Sequence, residues 1–125
     1  VGKGNYDSYH DTVLEMRRTL EREHSTIYDV KLIKNKVWVA SEYIVHAGRF
    51  LYIVLTTQDD TYDSSCETYS LCSELPPFGL ERWEFWQKRF IEFAADAEIW
   101  QLDNDMVVRL AAVVNHMDTI RQEEI

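Results

Sequence analysis

Between Asp29 and Thr57, apolar side chains recur at Val30, Ile33, Val37, Ala40, Ile44, Ala47, Leu51 and Val54, in alternating steps of three and four. That spacing is the period of one α-helix face, and it predicts a long central helix. From Ile44 onward, Val45, Phe50, Tyr52, Ile53 and Leu55 add apolar groups nearly all round, the pattern of an enclosed helix. Lys31, Lys34, Asn35 and Lys36 back the first half of the stripe and keep it near the surface. Ser41 and Gly48, one heptad apart, form a strip of small residues where a neighbouring element can come close.

Three further stripes flank this helix. Tyr9, Val13, Met16 and Leu20 mark a first amphipathic helix, capped by Asp7 or Ser8 and running to about His24. Its outward side carries Arg17, Arg18, Glu21, Arg22 and Glu23. A third helix, from about Leu80 to Ala97, aligns Trp83, Trp86, Phe90, Phe93, Ala94 and Ala97 on one face, with Phe85 off the stripe. Asp103 or Asn104 caps a fourth helix, in which Met106, Leu110, Val113, Met117 and Ile120 face one way. Trp100 is placed to plug the end of the core between the last two helices.

The connections are short, long and short. They predict an all-α fold, a four-helix up-down-up-down bundle forming a single domain over residues 1–125. One long loop, Gln58–Leu80, joins helices two and three; it holds Asp59, Asp60, Asp63, Glu67 and Glu74 and no Lys or Arg. Residues 1–5 are expected to be disordered or a cloning remnant.

Composition sharpens this reading. At 125 residues and 46% hydrophobic, the chain can bury a substantial core. Four Gly and two Pro are too few for the frequent turns of a β-sandwich. A net charge of −9 repels phosphate backbones and anionic lipid surfaces, so neither nucleic acid nor membrane is expected as a partner. No stretch reads as a transmembrane helix or a signal peptide. Cys66 and Cys72 make neither a disulfide framework nor a zinc site. Reduced thiols in an intracellular, cytoplasmic protein are the expectation.

Candidate chemistry is sparse. Asp59-Asp60-Thr61-Tyr62-Asp63 is a DDxxD, the carboxylate spacing that holds Mg²⁺ against a diphosphate. Asn115, Thr119 and Glu123 follow at steps of four and supply a second half of such a metal site. Basic residues to receive a diphosphate are lacking in the acidic loop, and His116 stands where an acidic residue is usual. Glu42 and His46, one turn apart, can pair. His46 reads as a semi-buried histidine, not a ligand. No nucleophile elbow, phosphate loop or dinucleotide fingerprint is present.

Two segments carry a resemblance: WVASEYIVHAGRFLY at Trp38–Tyr52, and LCSELPPFGLERWEFWQKRF at Leu71–Phe90. A loop containing Cys followed by an ERWxFWxxR-type helix is similar to a filamentous-fungal family known only as a domain of unknown function. The resemblance implies a helical, intracellular fungal protein and transfers no activity, ligand or catalytic residue. Beside it, the residues themselves make Arg82 and Arg89 candidates for ion pairs along the bundle's flank.

The leading functional expectation is a non-enzymatic protein-interaction or self-association module, with Trp38 and Phe85 as the interaction surface. It requires no cofactor. The alternative is a Mg²⁺- and diphosphate-dependent enzyme or ligand binder using the residues named above.

Overall fold

The apolar stripes become inner faces of helices in a computed structural model of the chain, which describes residues 12–57 and 79–124. Helix α1 covers residues 12–20, α2 Val30–Thr57, α3 Leu80–Ala95 and α4 Asn104–Glu123; no strand occurs among the described residues. The predicted acidic loop falls almost wholly outside the described residues.

Each helix sends its stripe into one core. Val13, Met16 and Leu20 come from α1, and Ile33, Val37, Ile44, Leu51 and Leu55 from α2. Trp83, Trp86, Phe90 and Phe93 come from α3, and Met106, Leu110, Val113, Met117 and Ile120 from α4. Helix α4 packs against both α2 and α3. Arg109 meets Ser41 near the start of the α2–α4 contact, and Arg49 meets Glu123 near its end, so α2 and α4 run the same way. Trp83 Nε1 reaches the Met117 carbonyl and Gln87 reaches that of Val114, so α3 runs against α4.

Local chemistry sets the ends. The Ser25 hydroxyl accepts from the Ile27 and Tyr28 amides, closing the link before α2. The Asp103 carboxylate caps α4 by accepting from Met106 N at 2.9 Å. Gly79 precedes α3 at φ 133°, where an L side chain would be strained, and its amide donates to the Leu55 carbonyl. Trp100 is buried and meets Phe93 edge-on at 5.8 Å, filling the place expected of it.

Helix α2 bends at Ala47 (φ −135°, ψ 18°). The next residue, Gly48, is buried against α4, and a Cβ there would lie 2.7 Å from Ile120 Cδ1. The absent side chain lets α4 approach, and the bend falls at this contact.

Two expectations are corrected. The second half of α2 is not enclosed, because the helices packed on its inner side leave an outward side on which Val45 is 44% exposed. Nor does α1 reach His24 with a wholly polar back. It ends at Leu20, and Arg17 and Glu21, read as outward, are buried. A buried cation from α3 draws Glu21 inward.

Candidate functional site

That cation is Arg82. Its guanidinium donates to Glu21 Oε1, and Trp86 Nε1 donates to Glu21 Oε2 at 2.6 Å. Both charged side chains are 1% exposed. One heptad on, Arg89 Nε donates to the Leu20 carbonyl at 2.8 Å and Nη2 to that of Arg22 at 3.1 Å. Carbonyls at a helix C-terminus lack intrahelical donors and carry partial negative charge, which a guanidinium satisfies. Arg82, Trp86 and Arg89 therefore fasten the end of α1 to α3. A buried pair closed to water suits a structural clamp, not a site for a substrate.

Beside the clamp, His24 Nε2 donates to the Thr19 carbonyl at 2.9 Å, and its ring lies 6.4 Å from that of Phe93. Its pKa is held below the ordinary 6.5, first by burial; Arg89 and Lys36 act the same way, and the Thr19 carbonyl and Asp29 oppose them. A niche of about 200 Å³ opens here, lined in part by His24, Arg89 and Phe93.

The more open feature lies at the other contact, between α2 and α4. A groove of about 460 Å³ is lined by Lys31, Lys34, Asn35 and Trp38 from α2, and by Asp103, Asp105 and Met106 at the start of α4. Trp38 is 42% exposed yet firmly held. The Arg109 guanidinium lies over its ring at 4.4 Å. Arg109 Nε donates to Ser41 Oγ at 3.2 Å, and the Ser41 hydroxyl donates to the Trp38 carbonyl at 2.6 Å. The circuit from indole to guanidinium to hydroxyl to backbone closes on Trp38 itself. Arg109 also pairs with Glu42, whose second oxygen meets His46 Nε2 at 2.9 Å. His46 is thus a surface partner of Glu42, not the semi-buried histidine expected.

Charge divides the groove: two lysines on one wall and two aspartates on the other. Asp103 is committed to capping α4, whereas Lys31 and Lys34 make no ion pair among the described residues. A rigid aromatic with paired polar groups around it can receive a side chain from another molecule. No nucleophile with an adjacent base stands in it.

Other residues singled out by spacing are scattered. Asp59, Asp60 and Asp63 lie outside the described residues. Asn115 and Thr119 sit on the exposed side of α4, where the Thr119 hydroxyl donates to the Asn115 carbonyl at 3.1 Å. Glu123 is engaged with Arg49. Among the described residues, no group of three or more His, Cys, Asp or Glu is placed to hold a metal ion. Phe85 is half-buried and packs on the core, with the Lys88 ammonium 5.9 Å from its ring. No described helix is long and apolar enough to cross a membrane.

Sequence reading singled out Trp38 but missed Arg109, Ser41 and Glu42 as its supports. The steps from Trp38 to Ser41 and Glu42 are legible as one helix turn, but Arg109 is more than sixty residues away. Glu21 was missed as the partner of Arg82 for the same reason.

Comparison with curated proteins and with solved structures yields no match. The sequence model of the family described as "Protein of unknown function (DUF3632)" matches residues 1–90, which include Glu21, Trp38, Arg82, Trp86 and Arg89 and end within α3, and the chain belongs to that family.

Proposed function

We propose that this is a non-enzymatic protein-interaction domain whose contact surface is the outward side of α2 centred on Trp38. The observation that carries the reading is a large aromatic side chain left 42% exposed while Arg109, Ser41 and Glu42 fix its position. An aromatic already ordered in the free protein loses little conformational entropy on binding, which is why such residues dominate interface energetics. Phe85 is the weaker candidate, since its ring already packs on the core.

The four helices are read here as an up-down-up-down bundle, supported by the shared direction of α2 and α4 and the opposite run of α3. In that arrangement α2 presents one long side to solvent. The net charge of −9 favours a protein partner over nucleic acid, and the reading calls for no metal or cofactor.

A photo-crosslinking amino acid in place of Trp38, compared with one at Arg18 on α1, tests the proposal. In extract of the native cell, position 38 should give a discrete protein adduct and position 18 none. Absence of an adduct at position 38, or identical adducts at both, would overturn it.

A further inference from the structure

A separate cleft, of about 240 Å³, opens between α1 and α2. Leu32, Val39, Ala40 and Tyr43 give it apolar walls, and Thr19 of α1 and Lys36 of α2 line it with them. Neither polar side chain has a partner among the described residues. Thr19 is 3% exposed, yet its hydroxyl makes no hydrogen bond among them. A hydroxyl on a helix ordinarily donates to a carbonyl of the preceding turn. Ser41, Thr56 and Thr119 do so, to the carbonyls of Trp38, Tyr52 and Asn115. Thr19 does not.

Lys36 is half-buried and makes no ion pair among the described residues. Glu15 also lines the cleft, but Arg18 engages its carboxylate at 2.8 Å. Asn35 lines it without adding charge. The uncommitted charge in the cleft is therefore positive.

A polar group withdrawn from water without a hydrogen bond costs free energy, and a bound molecule that supplies the bond recovers it. We propose that this cleft binds a small monocarboxylate with an apolar body. Its carboxylate accepts from the Thr19 hydroxyl and the Lys36 ammonium, and its body lies on Leu32, Val39 and Tyr43. One hydroxyl and one ammonium match a single negative charge. A phosphate would bring up to about two charges and three acceptor oxygens, more than these groups can meet. An amine would set a second cation beside Lys36, which is repulsive. The cleft is smaller than the roughly 300–1,000 Å³ of sites for drug-sized ligands, so the body is a short alkyl chain or a single ring. The net charge of −9 opposes an anion at long range and keeps the expected dissociation constant modest, about 1 mM. Neither Trp38 nor Arg109 lines the cleft, so the site is independent of the Trp38 surface.

Titration of the isotope-labelled 125-residue chain with hexanoate, followed by NMR of the backbone amides, tests this. Saturable shifts are expected at Thr19, Lys36 and Ala40. Hexanol and hexylamine carry the same body on a neutral or a cationic head, and each should bind at least about tenfold more weakly. Thr19→Val keeps the shape of the side chain without its hydroxyl and should weaken hexanoate about tenfold, whereas Thr19→Ser should bind like the parent. Lys36→Met should also weaken it about tenfold, and Lys34→Met, a change on the wall of the Trp38 groove, should not. Hexanoate that binds no better than hexanol or hexylamine overturns the proposal. So do shifts confined to residues away from the cleft, Thr19→Val and Lys36→Met variants that bind like the parent, or no saturable shift at all.

Discussion

At the scale of single residues, the Glu21 carboxylate is held from two sides. Each of its oxygens is tied to a different buried donor of α3, Arg82 or Trp86. Removing one charge of a buried pair leaves the other without compensation in a poor solvent for ions, at a cost of about 3 kcal/mol or more. Glu21→Gln is therefore expected to lose about that much unfolding free energy in urea titration. Glu21→Gln combined with Arg82→Gln should cost less than the two single changes summed, because neither member of this pair is then left charged opposite a neutral partner. A loss below about 0.5 kcal/mol for Glu21→Gln would mean that the pair contributes nothing.

His24 gives a pH dependence of definite sign. Burial lowers its folded pKa below 6.5, so the folded state favours the neutral ring. Its contribution is complete above about pH 6.5 and is lost as pH falls through the lowered folded value. The parent should lose stability between neutral and mildly acidic pH, and His24→Gln should lose less over the same interval. Denaturant unfolding at the two pH values checks this; equal losses would remove His24 as the cause. Arg89 and Lys36, which reinforce the shift, and Asp29, which opposes it, are unchanged in the variant.

At the scale of elements, existence and inward faces were legible in the pattern. The α2, α3 and α4 stripes read from spacing are buried except at Val30, Ala47, Val54, Ala94 and Ala97, which are half-buried, and Asp103 is the cap expected of it. The outward faces were not legible. Val45 adds to an apolar pattern all round α2, but how many sides of a helix are covered depends on how many neighbours it has. Nor does Ala47 announce a bend, which falls where Gly48 lies against Ile120 of α4.

Helix α4 also bears on how the matched family region relates to a folding unit. The match ends at residue 90, whereas α4 supplies Met106, Leu110, Val113, Met117 and Ile120 to the same core. A chain cut after Phe90 would strip cover from Trp83 and Gly48 and lose eight buried apolar side chains, Phe93, Trp100 and Leu102 among them, each contributing about 1.5–3 kcal/mol. That exceeds the total stability of an ordinary domain, about 5–15 kcal/mol, or comes close to it. The truncated chain should show no cooperative thermal transition by circular dichroism, while the 125-residue chain shows one. A sharp transition in the short chain would refute the dependence on α4.

At the scale of the whole molecule, the sequence by itself determined the helical class, the inward stripes of the described helices and the net charge of −9. These follow from nearest neighbours along the chain: a periodicity of three and four, a cap at a fixed offset, a sum of charges. It also marked Trp38 as a residue off the stripe, and the ERWEFW segment as distinctive. What that segment does was decided only by tertiary structure. Arg82 is held inward because Glu21, sixty-one residues earlier in the chain, is folded against it. Trp38 is a held and exposed aromatic, not a loose one, because Arg109 reaches it from α4. A charge's partner and a ring's cover are properties of separation in space, and the pattern along a helix carries information only about residues within a turn or two.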